Sequence, residues 1–280
     1  MSSLSPALPD HPIARANVLV MTLDTLRMDV AREALARGQT PHLARLLPRG
    51  EWEERHAPGS FTYASHHAMF AGFFPTPARP DADRWRVLAL AFSDSTTVTD
   101  GTLQLDAPDL PTGFARLGHH TICIGGVGFF NKQNALGRVL PGLFAESHWA
   151  PEFGVSDPRS PEHQFRAAAQ SLGRLEAGRR AFLFLNVSAM HQPTHFYVPG
   201  AQTDSVETQR AALAAMDAQL PLLTEALQGH TRRSRAPWYC IVCSDHGTAF
   251  GEDGYWGHRL SHPVVWTVPY AEFWFGVLSL

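Results

Sequence analysis

Asn17-Val18-Leu19-Val20-Met21-Thr22-Leu23-Asp24-Thr25-Leu26-Arg27 decides the fold class of this 280-residue chain. Seven residues rich in Val and Leu run without a charge and then break into a polar cluster, as a central parallel strand does at a functional edge. The strand delivers Asp24 to a rim. Working outward, Thr40-Pro41 opens a helix through Leu47, and a Gly59-Ser60 turn precedes a second helix over 62–71, with Thr62 at its N-terminus. Further strands are read at 87–92, 121–124, 181–187 and 238–243, with helices at 111–117, 162–177 and 206–227 between them. Strand alternating with helix predicts an α/β fold, a doubly wound and mostly parallel central sheet flanked by helices. The segment 264–275 closes the sheet as a strand or strand pair, with little chain beyond it.

Composition narrows the function. Against 26 acidic residues stand 23 basic ones, a net charge of −3 that gives no pull toward a polyanion, so nucleic acid is not an expected partner. No run reaches the roughly 18 apolar residues of a membrane span, and the Pro-rich, charged first sixteen residues have no signal-peptide character. Residues 1–16 read as a flexible N-terminal extension and 17–280 as one catalytic domain, the short Pro75 to Pro80 stretch being too brief to divide it. Cys123, Cys240 and Cys243 are an odd number set in apolar runs, which predicts free core thiols and a cytoplasmic location. Cys240 and Cys243 stand three apart in a strand and so point to opposite faces.

Three rims carry the chemistry: Asp24 after the first strand, Thr62 at a helix start, and Asp245-His246-Gly247 after 238–243. Ligands gather at the carboxyl ends of strands in open α/β sheets, so the three can converge. Two carboxylates, an imidazole and a hydroxyl suit a divalent cation such as Zn²⁺, Mn²⁺, Mg²⁺ or Ca²⁺. Singly, Asp24 and Thr62 read first as helix caps; the set is what points to a site.

Four segments in order make a resemblance specific. The opening stretch is similar to the first strand of sulfatase-like enzymes in the alkaline phosphatase and sulfatase superfamily. Thr40-Pro41-His42-Leu43-Ala44-Arg45-Leu46 resembles that family's T-P-N-L-x-R-L, and Phe61-Thr62-Tyr63-Ala64-Ser65-His66 resembles its W-T-x-P-S-H nucleophile motif. Ser244-Asp245-His246-Gly247 followed by Gly251-Glu252 resembles S-D-H-G-x-x-x-G-E. The resemblance implies that Asp24, Thr62, Asp245 and His246 bind a catalytic metal, with Thr62 as nucleophile, and that a covalent phosphothreonine passes its phosphoryl group to water or an alcohol. It implies one or two divalent ions, zinc or manganese before calcium or magnesium, with His191, His195 and His258 at a second metal or the substrate phosphate. His66 and Lys132, the only lysine among the 23 basic residues, are candidate substrate contacts. Asp29, Glu252 and Asp253 read as solvated or capping.

Departures from the pattern separate phosphate from sulfate chemistry. Threonine at 62 cannot form the aldehyde that sulfatases make from Cys or Ser, and Ala64 and His66 stand where C-x-P-x-R has Pro and Arg. G-K-W-H-x-G becomes Gly125-Gly126-Val127-Gly128-Phe129-Phe130, without its Lys and His. The expectation is a phosphatase, phosphodiesterase or phosphotransferase acting on a small-molecule ester, without the C-terminal subdomain of full-length sulfatases. A sulfatase and a phosphate-binding module without turnover are the alternatives. Substrate, hydrolysis against transfer, metal identity and oligomeric state are left open.

Overall fold

A computed structural model describes residues 11–72, 86–88, 102–104 and 108–276. Seven strands form the main sheet: β1 (Asn17–Leu23), β2 (Glu53–His56), β3 (His120–Ile124), β4 (Glu146–His148), β5 (Ala181–Val187), β6 (Trp238–Cys243) and β7 (Thr267–Phe275). Their order is β2-β7-β6-β1-β5-β3-β4. β1 pairs in parallel with both β5 and β6, and β5–β3 and β3–β4 are also parallel; β7 runs antiparallel to β6 and to β2. The doubly wound, mostly parallel sheet expected from the sequence is the observed architecture.

Alternate side chains on the central strands serve two cores, which is why those strands read as unbroken apolar runs. Leu19, Met21, Leu23, Leu183, Leu185 and Trp238 face one core with the helices Met28–Ala36, Ser160–Arg174 and Val206–Ser234. Val18, Val20, Cys123, Phe182 and Phe184 face the other, where Phe70 of the helix Thr62–Ala71 and Phe130 meet Phe184 edge-on or tilted at 5.0 and 5.5 Å. Burying each such side chain stabilises the fold by about 2 kcal/mol. All three cysteines are free and buried, with Cys240 in the first core.

Several boundaries differ from those expected. Packing begins before residue 17: Pro12–Arg15 is a 3-10 turn whose Ala14 is buried, and His119 Nε2 donates to Ala16 O at 2.7 Å, while residues 1–10 lie outside the described residues. Of the strand read at 87–92, Arg86–Leu88 pairs with Thr102–Gln104 in a separate two-stranded sheet, and 89–92 lies outside the described residues, as does Pro75 to Pro80. The last long helix continues past Leu227 to Ser234, because hydrogen bonds substitute for apolar burial there: Thr231 Oγ1 donates to Leu227 O (3.1 Å) and Ser234 Oγ accepts from Asn17 Nδ2 (2.9 Å). The closing segment is one short helical turn, Pro263–Trp266, and then a single strand.

Candidate active site

β5, β1 and β6 lie side by side with Thr22 opposite both Asn186 and Cys243, so the carboxyl ends of all three strands meet at one rim. Asp24 leaves β1 there, and Thr25 turns the chain at a left-handed φ of 62°, costly for a β-branched residue. Three hydrogen bonds hold that turn. Thr25 N donates to Asp245 Oδ1 (3.2 Å), Thr25 Oγ1 donates to Met190 O (2.8 Å), and Gln209 Nε2 donates to Thr25 O (2.9 Å). After β6, Gly247 admits the close approach of the 262–266 turn: a Cβ at this position would stand 2.0 Å from Val264 O.

Thr62 is the first residue of its helix. Phe61 before it is extended and offers no side-chain cap, and Ser65 N is already bonded to Phe61 O at 3.1 Å, so the N–H groups of 62–64 are the unsatisfied donors at this end. Gly72 stops the helix in the left-handed region at φ 79°. Thr62 Oγ1 lies 3.4 Å from Asp24 Oδ2 and 3.3 Å from His246 Nε2.

Asp24, Asp245 and His246 each present one ligand atom, and all of these lie within 4.8 Å of one another. Each group is completely buried. Their other atoms are already engaged, which fixes what remains free. Asn186 Nδ2 donates to Asp24 Oδ2 (2.8 Å); Asp245 Oδ1 accepts from Thr25 N and His246 N (3.1 Å). His246 Nδ1 donates to Gly247 O (2.8 Å), which leaves Nε2 unprotonated and facing the carboxylates. Asp24 Oδ1 and Asp245 Oδ2 have no partner. Burial, and for Asp24 the Asp245 charge as well, raises both acids, Asp245 to about 7. Two buried carboxylates with orphaned oxygens beside a free imidazole lone pair are a donor set that could hold a divalent cation.

The second histidine group is partly assembled. His258 lies 4.7 Å from His246 and 5.4 Å from His191, ring centre to ring centre. His191 Nδ1 donates to Gln192 O (2.7 Å), and His258 Nδ1 is buried without a partner. Burial first, then the His246 and His191 charges, lower His258 to about 3, so it is a neutral donor. His195 instead stands beside Asp204, with Nδ1 3.3 Å from Oδ1, at 40% side-chain exposure.

His66 lies behind the site rather than in its mouth. Its Nδ1 donates to Thr62 O (2.7 Å), Nε2 accepts from Thr22 Oγ1 (3.0 Å), and Phe130 and Phe184 pack edge-on against the ring. Burial lowers it to about 3. The imidazole thus braces the helix that carries Thr62. Lys132 Nζ donates to Ser147 O (3.0 Å) on the β4 edge and is exposed.

Two contributors were not singled out in the sequence. Asn186 is the lone amide in the apolar run Ala181–Val187, a signal that could have marked it. Arg27 closes the opening stretch; it holds Asp29 through two hydrogen bonds, 2.9 and 2.6 Å, and pairs with Glu252, tying the first rim to the loop after Asp245-His246. Asp29 and Glu252 are therefore ion-pair partners of Arg27, and the Asp29 side chain is exposed, as the sequence suggested.

No protein-family model and no curated protein matches the sequence at a significant level. Solved structures do match. The C-terminal periplasmic domain of phosphoethanolamine transferase EptC from Campylobacter jejuni superposes with a TM-score of 0.61 at 13% identity, over 92% of this chain and 79% of that one. The zinc complex of the C-terminal periplasmic domain of EcEptC from Escherichia coli gives 0.59 at 13%, over 93% and 73%. A protein in the alkaline phosphatase superfamily from Vibrio parahaemolyticus gives 0.60 at 20%, over 94% of this chain and 62% of that one. Two of these neighbours are periplasmic domains, so they lend no support to the cytoplasmic expectation. Among the described residues no helix is long and apolar enough to cross a membrane. These likenesses show the fold: the chain shares the α/β fold of the phosphoethanolamine transferase domains and of the alkaline phosphatase superfamily protein.

Proposed function

We propose that this chain is a metal-dependent enzyme that transfers the phosphoryl group of a phosphate ester through Thr62. The carrying observation is the position of Thr62 Oγ1 at an uncapped helix N-terminus, 3.4 Å from Asp24 and 3.3 Å from His246, beside the two orphaned carboxylate oxygens. Asp24, Asp245, His246 and Thr62 would hold one divalent ion. Zinc is the first choice, in keeping with the zinc-bound neighbour, and His191 and His258 serve a second ion or the substrate phosphate. A bound cation supplies charge neutralisation and a lower hydroxyl pKa.

The chain's own groups do the rest. The N–H groups at 62–64 receive phosphoryl oxygens on the axis of the helix dipole. Thr62 passes its proton to Asp24 Oδ2, which Asn186 holds in place, and Oγ1 bonds to phosphorus as the bond to the leaving oxygen breaks. The leaving oxygen keeps the electron pair and takes a proton from the medium. Water or an alcohol then attacks phosphorus and releases its proton to the medium, while the bond from phosphorus to Thr62 Oγ1 breaks and Oγ1 takes its proton back from Asp24.

Metal analysis tests this reading. Asp245→Asn and His246→Ala should each lose most bound zinc and at least about a hundredfold in turnover of 4-nitrophenyl phosphate, with an unchanged circular dichroism spectrum. Full metal content in both variants, or faster turnover of aryl sulfates than of aryl phosphates by the wild type, would contradict it.

A further inference from the structure

Arg259 follows His258 with a left-handed φ of 70°, unfavourable for any residue with a Cβ. Two contacts fix it against the start of the Thr62 helix. Its N–H donates to Ser60 O at 2.8 Å, and its guanidinium lies over the Phe61 ring, 5.1 Å from the centre. The side chain is exposed, and among the described residues no carboxylate pairs with it. Arg27, by contrast, which leaves the same rim after β1, holds Asp29 and Glu252.

A cation stacked on the residue before the nucleophile, tethered through its backbone and left without a counter-ion, is pre-organised for an anion that arrives from solution. We propose that Arg259 is a substrate-binding residue that grips the non-bridging oxygens of an ester seated at Thr62 and favours a dianionic phosphate monoester over a monoanionic diester. The guanidinium fork accommodates two oxygens of one phosphate, and its attraction grows with the charge they carry. The inference rests on the phosphoryl-transfer reading above and adds the substrate class.

Calorimetric titration of inorganic phosphate into the zinc-loaded wild type, Arg259→Gln and Arg259→Lys is the test, with KM for 4-nitrophenyl phosphate and bis(4-nitrophenyl) phosphate measured alongside. Arg259→Gln should weaken phosphate binding and raise the monoester KM by roughly tenfold, with a smaller change in kcat and in the diester KM. Arg259→Lys, keeping the charge but losing the fork and the stack, should fall between. Phosphate binding retained in full by Arg259→Gln, or no phosphate binding by the wild type, overturns the proposal. Binding weakened in Arg259→Gln by a protein that turns over neither ester supports Arg259 as the anion contact and defeats the phosphoryl-transfer reading instead.

Discussion

Asn186 lies one residue before the end of β5, donating Nδ2 to Asp24 Oδ2 at 2.8 Å while its Oδ1 accepts from Val127 N at 3.1 Å. It therefore orients the carboxylate and anchors the Gly125-Gly126-Val127 loop with one side chain. Gly126 permits that contact, since a Cβ there would come 2.4 Å from Asn186 O. Asn186→Leu, similar in volume, should lower kcat by about 10- to 100-fold through a misplaced Asp24, and should cost ~1–3 kcal/mol in urea denaturation through the unpaired Val127 N–H. Wild-type kcat in this variant would remove Asn186 from the site. Asp24, Thr62, Asp245 and His246 were legible because each ends or begins an element and belongs to an ordered motif. Asn186 was not, because an amide within a strand gives no sign of its partner until the register opposite β1 is known.

At the β4 edge, Glu146 gathers three elements. It accepts from His120 of β3 (2.9 Å), from Ser171 and Arg174 of the helix Ser160–Arg174 (2.6 and 2.7 Å), and from His148 of its own strand (2.6 Å). Burial works against its charge, but the hydrogen bonds from Ser171, His148 and His120 outweigh it and hold the acid down to about 2, against an ordinary 4.5. A depressed folded-state value means stability that is complete above pH 4.5 and lost as pH falls toward 2. Glu146→Gln should therefore destabilise by about 1 kcal/mol at neutral pH, with the gap to wild type closing below pH 4.5. A gap that widens in acid would reject the clamp. This edge escaped the sequence for the reason that β2 did: Glu146–His148 and Glu53–His56 are short, polar and partly or fully exposed, so neither carries an apolar alternation. The helix Met28–Ala36 was missed because alanines supply half of its buried face.

Across the whole molecule, the strands buried on both faces were the readable ones. Ala181–Val187 and Trp238–Cys243 have the bounds expected for them, and the helix Thr62–Ala71 starts and stops where its Gly59-Ser60 turn and Gly72 require. Strand order was not readable, because the crossing of the chain from β5 over β1 to β6 leaves no mark in either segment, yet that crossing is what brings Asp24 and Asp245 to one rim. The proposed transfer runs through Thr62 at this rim. Acid-quenched wild type, taken during turnover of a phosphate monoester and digested, should carry one phosphoryl group on the peptide containing Thr62; Thr62→Ala should carry none and lose turnover while still binding inorganic phosphate. A phosphoryl group on another residue, or undiminished turnover by Thr62→Ala, would contradict the account.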